Sequence, residues 1–367
     1  MKYMLAAPDL SGNETKYVNE CLETNWISSK GRFIAEFERT FAAYVGTREA
    51  IATCNGTIAL QLALLGLGVG PGDEVIVPSL TYVATANAVT YCGATPVFAD
   101  SDPDTWCISV ESARRLLTRR TRGIIPVHLY GHPCDMGALR ALCQEHGLWM
   151  VEDCAEALGA TYEGRRVGSF GAIGMFSLFG NKTVTTGEGG MVVTDRPDLA
   201  EKMRLLGGQG MDPNRRYWFP VVGYNFRMSN IAAAIGLAQM ERVEQLVGDR
   251  RRIGAWYGAR LGAVSRLRLP PDSPRMSNVF WLYSVLVDRP EIRDWLMERL
   301  AEVGIETRPF FYPLHTLPMY RQHRSDSGCP VAVDLGARGI NLPTSSYLKE
   351  ADIDEISSAV RRILADA

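Results

Sequence analysis

From Ala50 to about Asp195, short apolar runs rich in valine and isoleucine alternate with segments whose apolar residues recur at helical period. That alternation predicts a parallel sheet covered by helices. The expected strands are residues 50–54, 74–79, 95–100, 123–130, 149–153, 174–179 and 189–195, and their near-continuous hydrophobicity implies burial on both faces. Amphipathic patterns predict helices over 57–68 and 135–147. Residues 229–261 open on a Ser/Asn cap signal and later turn strongly charged, which predicts one long or kinked helical stretch. Beyond a Pro-rich break at 269–276 come an expected strand (280–287), helix (290–304), strand (305–310) and terminal helix (352–366). The pattern divides the chain into a large unit, 1–245, including the N-terminal segment, and a small C-terminal α+β unit, 246–367. No internal repeat or low-complexity segment interrupts it.

In such a sheet ligands gather at the carboxyl ends of the strands, so the polar residues that follow each apolar run carry most weight. Residues 50–54 run into Asn55-Gly56-Thr57 at a helix start, where free backbone N–H groups and the helix dipole suit an anion; an ordinary glycine turn with a Thr cap reads as well. The run WMVED ends in Asp153, a carboxylate too costly to leave unpaired in a buried setting; a helix cap or a pyridinium nitrogen would each serve as its partner. Ser177 lies near the end of the next strand, followed by Lys182 in a turn and a Gly-rich segment at 187–190. An exposed turn lysine is the ordinary reading, but one held among Phe176, Phe179, glycines and threonines loses its proton more easily and can attack a carbonyl. Tyr82 follows residues 74–79, either as a core residue or as a ring that covers a flat heterocycle. Anion cradle, carboxylate, amine and ring together match pyridoxal 5'-phosphate: phosphate at Gly56, Thr57 and Ser177, ring nitrogen at Asp153, aldehyde carbon on Lys182.

Composition narrows the alternatives. The chain has 367 residues, 39 basic against 41 acidic side chains, and 46% hydrophobic residues. No basic field invites nucleic acid or an anionic membrane, and no window approaches the roughly 20 apolar residues of a membrane helix. Eight dispersed cysteines without a C-x-x-C pair, and no signal-peptide pattern at the start, lead to an expected cytoplasmic location with reduced thiols. The run GLGVGPG (66–72) follows a helix and precedes a strand, the reverse of a dinucleotide fingerprint. His128 and His132 straddle an expected strand end with no further His or Cys cluster, so no metal site is expected.

The segments GNE (12–14), WISSKG (26–31), FERTFA (37–42), NGT (55–57), PSLTYVATANAV (78–89), EDCAEA (152–157), GNKT (180–183), GEGGMVV (187–193) and YNFRMSN (224–230) resemble, in order, those of the DegT/DnrJ/EryC1/StrS sugar aminotransferases. The resemblance covers nearly the whole chain. It implies the aspartate-aminotransferase fold (PLP fold type I): an α/β large domain with a mixed, mostly parallel sheet, which binds the cofactor, and a smaller α+β C-terminal domain. It also implies a ping-pong Schiff-base mechanism on Lys182, with L-glutamate as donor, 2-oxoglutarate as its product, and a nucleotide-linked ketosugar as acceptor. EDCAEA, FGNKT, RPFFYPLHTLPMY (308–320) and RGINLP (338–343) are most similar to the branch that aminates C4 of GDP-4-keto-6-deoxy-D-mannose to give GDP-perosamine, a sugar of O-antigens and other polysaccharides. Amination at C3, or of a dTDP- or UDP-linked sugar, is the alternative; a sugar dehydratase or an idle homologue is remoter, because dehydratases carry histidine where Lys182 stands. Glu156, near the cofactor's phenolic oxygen, replaces the glutamine of many members, and Asn181 replaces a histidine. By the same resemblance Asn225 reaches the phosphate of the neighbouring subunit's cofactor, which implies a homodimer. The substrate is expected against Trp26, Ser28, Ser29, Lys30, the loop near Arg216-Tyr217-Trp218, Arg308, Tyr312 and His315.

Overall fold

A computed structural model describes residues 1–366. Seven strands form the main sheet: Glu49–Thr53 (β1), Glu74–Pro78 (β2), Thr95–Ala99 (β3), Thr121–Ile124 (β4), Trp149–Asp153 (β5), Ile173–Ser177 (β6) and Gly190–Thr194 (β7). Their spatial order is β1-β7-β6-β5-β4-β2-β3. All neighbours pair in parallel except β7, which runs antiparallel to both β6 and β1. Every residue of β2 and β7 is buried, as expected of a sheet covered on both faces. Two apolar clusters flank the sheet. One gathers the β2, β3 and β5 side chains with the helix Gly56–Leu67; the other gathers Phe33, Phe37 and Phe41 with Phe176 and the helix Asn230–Met240.

The fourth strand differs from the pattern-based expectation for a local reason. The fourth strand stops at Ile124 instead of running to residue 130. Pro126 has no N–H to give the ladder, which persists only as an isolated bridge between Val127 and Asp153; there the Asp153 N–H reaches the Pro126 carbonyl at 2.9 Å. The helical stretch divides at Glu241 and Arg242 into Asn230–Met240 and Val243–Leu261.

A second sheet joins Leu267–Arg268 (β8), Tyr283–Val287 (β9), Arg308–Pro309 (β10) and Gly339–Leu342 (β11) in the order β8-β9-β11-β10, all antiparallel. It shares a third apolar cluster with the helices Val243–Leu261, Glu291–Glu302 and Glu350–Ala365. Tyr3 is buried in that cluster. The first residues of the N-terminal segment, expected with the large unit, bond instead to the C-terminal unit: the Lys2 and Tyr3 N–H groups reach the Gly304 carbonyl, and the Thr344 N–H reaches the Leu5 carbonyl at 2.7 Å. Burial of the Tyr3 ring in this cluster and the bond from the Glu306 N–H to the Tyr3 carbonyl at 2.9 Å fix the placement.

Candidate active site

At the carboxyl ends of the central strands lies a cavity of about 640 Å³. Gly56, Thr57, Tyr82, Asp153, Glu156, Ser177, Lys182 and Arg308 all line it. The helix Gly56–Leu67 starts at its rim, capped by Asn55, whose Oδ1 accepts the Ile58 N–H at 2.9 Å. The cap is thus Asn55 rather than Thr57, and the first-turn N–H groups of Gly56 and Thr57 stay free of intrahelical partners. Glycine at 56 lets the helix start approach Ser177 closely, because a Cβ would lie 3.0 Å from the Ser177 Cβ and push it back. The result is a cradle for an anion made of backbone dipoles, with the Ser177 hydroxyl beside it.

Asp153 ends β5 and is buried. Its Oδ2 accepts from Thr85 Oγ1 at 2.8 Å and its Oδ1 from the Ala155 N–H at 3.1 Å. Burial holds this carboxyl above the usual carboxylate range, and the two hydrogen bonds only partly offset it. A cationic ring nitrogen is the partner that such a carboxylate lacks. Burial likewise pushes the Lys182 ammonium below its ordinary range, with Glu156 and then Asp153 pulling it back. The Lys182 Nζ lies 4.0 Å from Glu156 Oε1, too far for a hydrogen bond, and 3.5 Å from the centre of the Trp281 ring. Glu156 is raised by its own burial, and its Oε2 accepts the Tyr130 N–H at 2.6 Å. Tyr82 is 59% exposed and its ring stands 5.7 Å from that of Phe311 at the cavity mouth.

The remaining expected site residues lie elsewhere in the single chain. The His315 Nδ1 is bonded to Ser79 Oγ at 2.6 Å, and neither His315 nor the exposed Tyr312 lines the cavity. Trp26 and Ser28 offer their carbonyls to Asn230, through its Nδ2 at 2.7 Å and its backbone N–H at 2.6 Å. Ser29 and Lys30 line a separate cavity of about 310 Å³ with Arg204 and Arg227. Asn225 is exposed, its Oδ1 accepting from Arg227. In the loop before it, Arg216 lies over the Tyr217 ring and Arg215 over that of Trp218.

Several contributors carry no local sequence signal. Thr85 lies in a helix, Ala84–Tyr91, whose pattern gives no hint of a bond to Asp153. Glu152, next to Asp153, is fully buried and accepts backbone N–H groups of Gly168, Phe170 and Gly171 at 2.6 to 2.7 Å. His128 Nδ1 accepts the Cys134 N–H at 3.0 Å, which leaves its Nε2–H to face Glu152 at 3.3 Å. His128, Glu152 and Cys154 cluster closely enough to hold a metal. The His128 Nδ1 and both Glu152 oxygens already accept backbone N–H groups that brace the end of β5, which reads the cluster as a strut.

A sequence model of the DegT/DnrJ/EryC1/StrS aminotransferase family matches residues 8–361. The chain belongs to this family. It is 52% identical over 363 residues to the GDP-perosamine synthase of Caulobacter vibrioides, with 98% of each chain covered. It is 46% identical over 367 residues to that of Escherichia coli O157:H7, covering 100% of both. Among solved structures, one from Streptococcus pneumoniae named as a sugar aminotransferase in its PLP form superposes with a TM-score of 0.95 at 28% identity, covering 100% of this chain and 99% of that one. Family membership makes the protein a pyridoxal-phosphate-dependent sugar aminotransferase with the aspartate-aminotransferase fold. The residues around the cavity suit that cofactor: the glycine-floored anion cradle takes a phosphate, and the buried, under-partnered Asp153 takes a ring nitrogen.

Proposed function

We propose that the protein transfers the amino group of L-glutamate to C4 of GDP-4-keto-6-deoxy-D-mannose, giving GDP-perosamine and 2-oxoglutarate. Near-full-length identity of 52% to a GDP-perosamine synthase carries the choice of substrate. In the site, Gly56, Thr57 and Ser177 would hold the cofactor's phosphate, Asp153 its ring nitrogen, Tyr82 one ring face and Lys182 its aldehyde carbon. When bound, pyridoxal phosphate supplies an electron sink for the carbon that loses its proton. Lys182 would serve first as tether and then as base: its amine is already biased toward the neutral form by burial and would carry the proton from the donor's α-carbon. Asp153 keeps the ring nitrogen charged, supported by Thr85 and the Ala155 N–H. Glu156 is positioned by the Tyr130 N–H to face the amine. Arg308, at the cavity wall, suits the acidic groups of glutamate or of the nucleotide.

The working unit in this reading is a homodimer. Asn225, Ser29 and Lys30 sit apart from the chain's own cavity, and a second copy would bring them to it. We place the protein in the cytoplasm, where its eight free cysteines stay reduced; among the described residues no helix is long and apolar enough to cross a membrane. The deciding experiment incubates the purified protein with GDP-4-keto-6-deoxy-D-mannose and glutamate, then identifies the product by NMR. Formation of a 4-amino sugar supports the proposal. Turnover only of dTDP- or UDP-linked ketosugars, or amination at C3, overturns it.

A further inference from the structure

One side chain from the C-terminal unit reaches Lys182 directly. Trp281 is 4% exposed, its ring centre lies 3.5 Å from the lysine Nζ, and its Nε1–H donates to the Asn181 carbonyl at 2.9 Å, on the residue just before the lysine. We propose that Trp281 is a positioning residue for Lys182, gripping the backbone of the turn through its indole N–H and flooring the amine with its ring face so that the amine stays aimed at the cavity.

Lysine is long and flexible, and among the described residues the Lys182 backbone has one anchor in its turn, its N–H on the Phe179 carbonyl at 2.9 Å. A freely rotating amine would spend little time where an aldehyde must be met, and fixing it raises the effective concentration of the reacting pair. An indole face suits the task because it attracts the ammonium form and offers no hydrogen-bond partner to draw the neutral amine aside.

Trp281 is itself firmly held. Its carbonyl accepts from Arg250 Nη1 at 2.8 Å and from Thr344 Oγ1 at 2.7 Å. Arg250 is buried, and its side-chain hydrogen bonds run to Trp281 and Thr344 rather than to a carboxylate. Burying a guanidinium that way is expensive, and burial pushes it down to about 10. The preceding residue, Phe280, is forced to φ +48°, a region that aromatic residues avoid. Room for this bend comes from Gly131, where a Cβ would fall 2.9 Å from the Trp281 nitrogen. Next to Gly131, Tyr130 stacks its ring on Trp281 at 19° and gives its N–H to Glu156. One aromatic pair thus braces both Lys182 and the carboxyl that faces it.

The inference rests on the reading of Lys182 as the group that bonds the cofactor, and its test separates the two. Full-length protein freed of cofactor is mixed with pyridoxal phosphate across a pH series. The rate at which the bound cofactor's visible band appears is followed as the Lys182 amine adds to the aldehyde carbon and water leaves. The charged groups facing Lys182 are Glu156 and Asp153 around the end of β5, Arg250 on the helix Val243–Leu261, and Arg308 on β10; all are unchanged in the variants. W281F keeps a ring face and loses the donor, and its plateau rate should fall on the order of tenfold. W281A should fall further, with its midpoint shifted to higher pH as water reaches the ammonium. K182A should form no such band; a band of wild-type intensity in K182A overturns the reading of the lysine itself. With that control in order, a W281F profile that superimposes on the wild type overturns the role of Trp281, and this holds whether or not W281A folds.

Discussion

Lys182 owes its chemistry to surroundings that no single neighbour supplies. Burial lowers its pKa while Glu156 and Asp153 oppose the shift, so a change at either carboxylate alters the balance. K182A is expected to abolish turnover, with no absorbance change of the cofactor when glutamate is added, while the fold and the binding of GDP-sugar persist; retained activity would refute the assignment. Thr85 gives a subtler test. Its hydroxyl donates to Asp153 Oδ2 in a buried setting, so T85V leaves the carboxylate with one donor fewer. Loss of a hydrogen bond to a charged group costs about 1.5–3 kcal/mol, and kcat should fall roughly 10- to 100-fold. Substrate KM should change much less, because the stabilisation matters most when charge develops on the ring.

Element ends, more than element interiors, build the cavity. The helix Gly56–Leu67 opens on first-turn N–H groups without intrahelical partners, and Asn55 folds back to cap one of them, Ile58, beside the cradle. Replacing Asn55 with Ala should cost about 1 kcal/mol of stability and loosen the phosphate cradle together with it. Thermal unfolding and cofactor titration should therefore move together; unchanged cofactor affinity in a destabilised N55A would separate the cap from the cradle. The same dependence on ends holds at β5, where Glu152 ties down the segment 168–171 through three backbone N–H groups. That leaves the neighbouring Asp153 as the residue facing the cavity.

For the molecule as a whole, the N-terminal segment acts as a strap between units. Its first residues bond to the C-terminal unit at Gly304, Glu306 and Thr344, while Asp9 pairs with Arg242 at 2.9 Å beside the break between the helices Asn230–Met240 and Val243–Leu261. The guanidinium holds the Asp9 carboxyl at about 2, below its ordinary 3.8. A lowered folded-state pKa stabilises above the unfolded value, and the contribution disappears as pH falls from about 4 toward 2. D9N should therefore be less stable than the wild type by about 1 kcal/mol near neutrality, with the gap in unfolding midpoint closing in acid; a pH-independent gap would contradict the ion-pair account. Assembly has its own test. If Asn225 serves the partner's site, co-refolding inactive K182A with N225A should restore activity, because a mixed dimer contains one site with both residues intact. No recovery in verified mixed dimers would place Asn225 outside the catalytic unit.

Local pattern determined much of this. Buried strands between helices were legible as runs of valine and isoleucine, since burial on both faces leaves no polar alternation. Gly56, Asp153, Ser177 and Lys182 stood out because polar residues at strand ends are where a parallel sheet gathers ligands. Short segments were harder: Gly339–Leu342 carries only four residues, too few for periodicity, yet it is an inner strand of the second sheet. Contacts across long sequence distances were beyond any local signal. Thr85 meets Asp153 from 68 positions away and Trp281 meets Asn181 from 100; each pairing exists only after the second unit and the helix Ala84–Tyr91 have packed onto the first sheet. Residue types and their spacing determine which groups are available for chemistry, whereas solvent exclusion, and with it the protonation bias of Lys182, arises only when distant segments close the cavity around them.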